Sequence, residues 1–267
     1  MNPRPSAALS TEGGAHDNPT IERLRHRPLL PDPKNLRDRR LIAIFDRHAR
    51  VGPGRQVLEA GCGGSPWLAY LARERRCLVT GIEIDPQAAR RAEANLAGAG
   101  SRGEILVRDA FDLARNEELL GRFDLVYSMG VLEHLANPVD GLLALAAYLR
   151  PGGRVLTTVP NLRGWNGMIQ YLGSVDELEM HEIYDLPRLA WIHDCAGFEH
   201  LASGYVGFFD GYLSNASGAP EGLRRRIHRF VCHATGTAAQ TWARATAGRL
   251  APETSLLSPH LFYVGTL

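Results

Sequence analysis

Apolar positions change their period several times along the chain. Between Lys34 and Arg50, Leu36, Leu41, Ile42, Ile44 and Phe45 recur at helical spacing with charges on the other face, which predicts an amphipathic helix. Gly52-Pro53-Gly54 ends it. Short apolar runs then predict strands at Gln56–Glu59, Cys77–Glu83, Glu104–Val107, Phe123–Ser128 and Arg154–Val159. Helical patterns separate them at Pro66–Glu74, Pro86–Leu96 and Val139–Leu149, the last stopped by Arg150-Pro151-Gly152-Gly153. Strands alternating with helices across short turns predict crossover units and a parallel sheet covered on both faces. The last third is less regular. Leu186–Ala196 reads as a helix stopped by Gly197, Phe198–Val206 as a strand and His260–Thr266 as a closing strand. These two late strands would pair antiparallel at one edge, and 209–258 between them reads as an insertion with a basic helix.

Composition narrows the class. At 267 residues with 45% hydrophobic and 22% charged, the chain can bury a full core as one large domain. The net charge of +1 gives no long-range field to draw nucleic acid or an anionic membrane. The run Arg224-Arg225-Arg226-Ile227-His228-Arg229 reads as a solvated helix face. Cys62, Cys77, Cys195 and Cys232 are too far apart for a zinc site or a disulfide framework. Residues 1–33 read as a flexible tail. Met1 to Thr20 is polar, without the apolar core of a signal peptide, and Leu142–Leu149, the longest strongly apolar stretch, is short of the roughly 20 residues a membrane span needs. The expectation is a soluble, cytoplasmic domain over 34–267, a monomer or homodimer.

The candidate chemistry sits in the first turn. Val57-Leu58-Glu59-Ala60-Gly61-Cys62-Gly63-Gly64-Ser65-Pro66 is a strand, a glycine turn and a helix start, with Ser65 as cap and Pro66 at the first helical position. Glycines let such a backbone bend sharply and approach a ligand. About twenty residues on, Glu83 in Gly81-Ile82-Glu83-Ile84-Asp85 ends the second strand, where an acid can accept from both hydroxyls of a ribose. Asp85 reads as the cap of the helix at Pro86. The final glycine of a dinucleotide turn is absent, as is any P-loop lysine, so a nucleoside without a pyrophosphate fits better than NAD.

Taken together these segments resemble the class I S-adenosylmethionine-dependent methyltransferases. Glu59-Ala60-Gly61-Cys62-Gly63-Gly64 is similar to the family's first motif, with Ser65 in place of its last glycine; Ile82-Glu83-Ile84-Asp85 is similar to its second-strand acid, and Val107-Arg108-Asp109-Ala110 to its adenine segment. Phe123-Asp124-Leu125-Val126-Tyr127-Ser128, Val131-Leu132-Glu133-His134 and Leu149-Arg150-Pro151-Gly152-Gly153 continue the series in order. The resemblance implies an α/β, Rossmann-like, doubly wound seven-stranded sheet, mostly parallel with an antiparallel last strand, and S-adenosylmethionine as cofactor. It places Glu59, Gly61, Cys62 and Gly63 by the methionine part, Glu83 and Ile84 at the ribose, Asp109 and Ala110 at adenine, and Ser128 at the methionine end.

An activated methyl needs proximity and a dry pocket, and a base only where the acceptor carries a proton. His134, His181, Tyr184 and Asp210 are the candidates, His134 and His181 first. Some family members carry Glu-x-x-Glu-His after the fourth strand, where it looks like a metal site; here Gly130 stands at the first acid, and no metal is expected. In this fold the stretch after the fifth strand commonly forms a lid, here 161–185, whose Trp165, Met168, Tyr171 and Tyr184 would contact a small, partly apolar acceptor. The implied reaction is methyl transfer to O or N of a small molecule, in specialised metabolism. A protein or RNA acceptor and a cofactor-binding partner subunit without turnover remain open.

Overall fold

The computed structural model describes residues 28–179, 181–208, 222–246 and 252–267. Most of the expected tail, Asp210 and parts of the 209–258 insertion lie outside the described residues.

The first helix among the described residues, α1 (Leu36–His48), starts where Asn35 accepts the N–H groups of Arg37 and Asp38, and buries Leu41, Ile44 and Phe45. Beyond it the chain alternates: β1 (Gln56–Ala60), α2 (Trp67–Glu74), β2 (Leu78–Glu83), α3 (Pro86–Gly98), β3 (Gly103–Val107), β4 (Phe123–Met129), α4 (Pro138–Ala147) and β5 (Leu149–Pro160). Next come two short helices, α5 (Trp165–Gly173) and α6 (Val175–Glu179), then α7 (Leu186–Cys195), β6 (Glu199–Val206), the long α8 (Leu223–Ala245) and β7 (His260–Thr266).

The strands form one seven-stranded sheet in the order β3-β2-β1-β4-β5-β7-β6. Five strands run parallel, and β7 inserts antiparallel between β5 and β6. The two-residue period of a strand divides the side chains between two cores. Val57, Leu125, Tyr127, Leu156 and Val264 face α1, α2 and α3 with Phe45, Trp67 and Leu71. Their neighbours Leu58, Val126, Val155 and Tyr263 face α4 and α7 with Leu142, Leu145, Leu189 and Ile192. This is why the central strands read as continuous apolar runs rather than alternating ones.

Three details differ from the sequence reading. First, α4 stops at Ala147 and the fifth strand begins at Leu149, so Arg150–Gly153 lies inside β5 instead of preceding it. Leu149 pairs with Phe123, the register then jumps to Leu125–Arg154, and Gly152 takes up the bend at φ +72°. Second, Pro66 flanks α2 and Trp67 opens it; Ser65 still does capping work, its Oγ accepting from the Trp67 N–H at 3.1 Å. Third, residues 28–33 of the expected tail are anchored. Asn95 of α3 accepts from the Leu29 N–H (2.6 Å), donates to the Leu29 carbonyl (2.9 Å), and Leu30 packs on the core.

Candidate active site

Parallel strands of this arrangement present their C-terminal ends to a crevice where the order reverses, here between β1 and β4. At the end of β1 the chain turns at Gly61 with φ +75°, and the N–H groups of Gly61 and Cys62 both donate to the Ile82 carbonyl. A Cβ on Gly61 would stand 2.8 Å from Val131 Cγ2, so only glycine lets the loop after β4 close over this turn. The Cys62 side chain points away into the core, where burial pushes its thiol up. Any ligand meets this residue through its backbone.

The Glu83 carboxylate joins the turn to β2. Its Oε2 accepts from the Gly63 N–H at 2.8 Å and its Oε1 from the Asp85 N–H at 3.0 Å. Glycine at 63 permits that approach, since a Cβ there would lie 3.0 Å from Glu83 Oε2. Asp85 caps α3 through Gln87 and Ala88, as its position predicts. Ile84 is exposed beside it. The end of β3 is tied to the same place by the Arg108 N–H on the Glu83 carbonyl (3.1 Å). Asp109, exposed, accepts from the Phe111 N–H at 2.8 Å, and the buried Ala110 accepts the Tyr148 hydroxyl at its carbonyl, 2.7 Å away. Glu83, Ile84 and Asp109 thus stand on adjacent strand ends, brought together as the sequence predicted.

Deeper in, Glu59 is fully buried and its Oε2 accepts the Tyr127 hydroxyl at 2.7 Å. Burial pushes its carboxyl up to about 8, with the nearby charge of Glu83 adding to the rise and the Ser65 and Tyr127 hydroxyls close by opposing it. Its Oε1 has no partner among the described residues, and neither has Ser128 Oγ or Glu133 Oε2. Buried polar atoms without partners are rare in native proteins and mark places where something else completes them.

Glu59 and Glu133 both line a cavity of about 350 Å³. Its floor is made by Gly61 and by Gly64, Ser65, Pro66 and Trp67 of the glycine turn and the helix start. Arg37 and Leu41 of α1, Met129 at the end of β4 and Gly130 after it, Thr158 and Pro160 of β5 and His260 of β7 complete the wall. Ser128, one residue before Met129, is itself buried.

The expected acceptor residues lie elsewhere. Trp165 turns towards α8 and donates its indole N–H to Thr235 (3.2 Å); Met168 and Tyr171 are exposed, with Arg224 over the Tyr171 ring. Tyr184 is fully buried in the core, its hydroxyl on Glu182 at 2.8 Å. His134 and His181 face each other with ring centroids 4.6 Å apart, outside the cavity lining, and burial followed by the charge of His181 lowers the basicity of His134. Sequence reasoning missed Arg37, Leu41, Trp67, Thr158, Pro160 and His260 as wall residues. Their only sequence signal is position: Arg37, Trp67 and His260 sit at the start of α1, α2 and β7, Thr158 and Pro160 at the end of β5, and Leu41 one turn further along α1 than Arg37. Among the described residues no group of three or more His, Cys, Asp or Glu could hold a metal ion, and no helix is long and apolar enough to cross a membrane.

Comparison with known proteins matches residues 33–203 to the family model described as a methyltransferase domain. The chain belongs to the class I S-adenosylmethionine-dependent methyltransferases. It is 31% identical over 157 residues to a ubiquinone biosynthesis O-methyltransferase of Nitrosospira multiformis, covering 59% of this chain and 61% of that one. It is 30% identical over 145 residues to the enzyme of the same name from Dechloromonas aromatica, covering 54% and 58%. The chain therefore spans about three fifths of the length of these curated relatives. Among solved structures, a SAM-dependent methyltransferase from Archaeoglobus fulgidus shares the fold at TM-score 0.53 and 16% identity, covering 86% of this chain and 90% of that one. Geranyl diphosphate C-methyltransferase from Streptomyces coelicolor does so at TM-score 0.55 and 13% identity, covering 85% and 75%.

The family's cofactor suits the residues present. The unpartnered Glu59 Oε1 at the cavity is an acceptor for an ammonium group, and the Glu83 carboxylate, held in place by two backbone N–H groups, is a ready acceptor for a ribose.

Proposed function

We propose that this protein methylates a hydroxyl oxygen of a small molecule with S-adenosylmethionine, as a biosynthetic enzyme. The observation that carries the reading is the single cavity that joins the glycine turn and Glu59 to an apolar wall of Leu41, Trp67, Met129 and Pro160. One end matches the methionine part of the cofactor. The other suits a compact, partly apolar acceptor, because small-molecule sites combine apolar walls with a few placed polar groups, here Glu133, Thr158 and His260. In this reading Glu83, Ile84, Asp109 and Ala110 hold the nucleoside, and Gly61, Cys62 and Gly63 pass under the methionine part by their backbone. Glu59 receives the ammonium group, with the Ser128 backbone nearby. The near-zero net charge supports a small acceptor over a nucleic acid. We assign residues 34–267 to this one domain. The similarity to enzymes named for O-methylation supports oxygen as the acceptor atom.

Calorimetric titration with S-adenosylmethionine, S-adenosylhomocysteine and NADH tests the cofactor half. Micromolar binding of the first two and none of the third is expected. Because Glu59 sits near 8 when unpaired, pairing with the ammonium should expel its proton at pH 7. The binding enthalpy should then depend on the ionisation enthalpy of the buffer, and Glu59→Gln should abolish that dependence. Binding of NADH alone would overturn the assignment.

A further inference from the structure

We propose that Glu133 takes the proton of the acceptor's hydroxyl, and that this hydroxyl is a weakly acidic one such as a phenol. The inference rests on the methyltransferase reading and goes beyond it by naming the base.

Glu133 lies on a short 3-10 turn, Leu132–His134, directly after β4. Its backbone is fixed by the Glu182 N–H on its carbonyl at 2.9 Å. Its carboxyl folds back over Gly130, whose missing Cβ leaves the room: a Cβ there would lie 3.3 Å from Oε1, and Gly130 itself sits at φ +70°. The glycine that removes the first acid of the Glu-x-x-Glu-His pattern therefore makes space for the second acid over the cavity. Glu133 is 4% exposed, lines the cavity shared with Gly61 and Glu59, and leaves Oε2 without a partner. A buried carboxyl in that state costs free energy unless a donor arrives.

The titratable and charged groups around it are Glu59 from β1, Arg37 from α1 and His260 from β7 across the cavity. Glu182 and Tyr184 lie on the segment before α7, and His134 with His181 stands beside its own turn. Among the described residues none of these groups forms an ion pair with it. Burial accordingly pushes its carboxyl up to about 7. A base in that range matches a phenolic hydroxyl, of pKa ~10, far better than an aliphatic alcohol. The histidines expected in this role stand outside the cavity lining.

The step balances within the site. The acceptor's O–H bond breaks and its proton moves to Glu133 Oε2. The oxygen's electron pair forms the new bond to the methyl carbon, and the pair of the broken carbon–sulfur bond stays on sulfur. Water then removes the proton from Glu133.

The test compares wild type with E133Q, using catechol and 4-nitrocatechol, the latter largely ionised at neutral pH. E133Q should fold with a thermal midpoint at or above that of wild type, since it removes a buried carboxyl, and bind S-adenosylhomocysteine within about twofold. It should methylate catechol at least about a hundredfold more slowly, the usual worth of a positioned base, while 4-nitrocatechol loses about fivefold or less. Independently of turnover, infrared spectra of the S-adenosylhomocysteine complex should show a protonated-carboxyl band that is lost as pH rises, with a lower midpoint when catechol donates its hydroxyl to the carboxylate, and this band should be missing in E133Q. Wild-type catechol rates in E133Q, or a band that fails to appear in wild type or survives in E133Q, would overturn the assignment. If wild type binds cofactor but methylates neither probe, the infrared band alone decides. Failure of wild type to bind cofactor instead defeats the methyltransferase reading and Glu133's role with it.

Discussion

The two halves of the cavity are built by different means. On the cofactor side, positions are fixed by the backbone: Gly61 and Cys62 donate to Ile82, Gly63 and Asp85 donate to Glu83, and Arg108 donates back to the Glu83 carbonyl. Each partner lies at the end of one of three neighbouring strands, β1, β2 and β3, so strand register sets the geometry. On the acceptor side the wall is an assembly of side chains from α1, α2, β4, β5 and β7, with no backbone hydrogen bond joining all of them. A site made of backbone is rigid and readable from spacing. A site made of distant side chains can change its ligand with a few substitutions, and the spacing of motifs does not reveal it.

The difference can be tested by how unequally substitutions act. The largest effect is expected at Glu83. Glu83→Ala removes two charge-assisted acceptor positions, together about 3–6 kcal/mol, and should weaken S-adenosylmethionine binding by more than about a hundredfold in calorimetry. Near-unchanged affinity would break the claim that the backbone-fixed half holds the cofactor.

A second, smaller effect concerns the sheet behind the acceptor side. His193 of α7 is fully buried, shares a hydrogen bond with Thr157 Oγ1 at 2.9 Å and stacks on Tyr263. Burial brings its pKa down to about 4. The unfolded chain, at ~6.5, binds the proton more readily. The stability that neutral His193 confers is therefore present above ~6.5 and lost as pH falls towards 4, by up to about 3 kcal/mol. Denaturant unfolding at pH 7.5 and pH 5 should show the advantage of wild type over His193→Gln shrinking at the lower pH. Glu59 and Glu133 act with the opposite sign, since their raised carboxyls lose stability as pH rises from the ordinary carboxylate range through about 7 to 8. The variant comparison isolates the histidine.

The smallest effect is expected in the segment between β5 and α7. Met168→Ala and Tyr171→Ala remove exposed side chains that do not line the cavity. Each should change stability by less than about 0.5 kcal/mol and leave cofactor affinity within twofold. A tenfold loss of methyl transfer in either would show that this segment closes over the acceptor during turnover, the lid role expected from sequence.

Most of the fold was legible before any coordinates. Alternating apolar runs and helical patterns gave the order of strands, Asp85 announced the start of α3, and Gly197 marked the end of α7 at φ +84°. Where the reading slipped, tertiary pairing overrode a local signal. Arg150-Pro151-Gly152-Gly153 has the composition of a turn, yet Leu149 pairs with Phe123 and draws it into β5. The anchoring of residues 28–33 depends on Asn95, more than sixty positions away, which no local pattern announces.

For the site the division follows the same physics. Sequence by itself determined the glycine turn, Glu83 and Asp109, because glycine torsions and acids at strand ends act within a few residues of backbone or across one strand pair. Of the Glu133-His134 pair it singled out the histidine as the candidate base. The tertiary structure places the glutamate in the cavity wall and the histidine outside it. It also sent Trp165 to α8 and Tyr184 into the core, and brought Leu41, Trp67, Thr158 and His260 to one wall. Burial, and with it the protonation of Glu59 and Glu133, depends on what closes over a residue from far along the chain, and only the folded molecule contains that information.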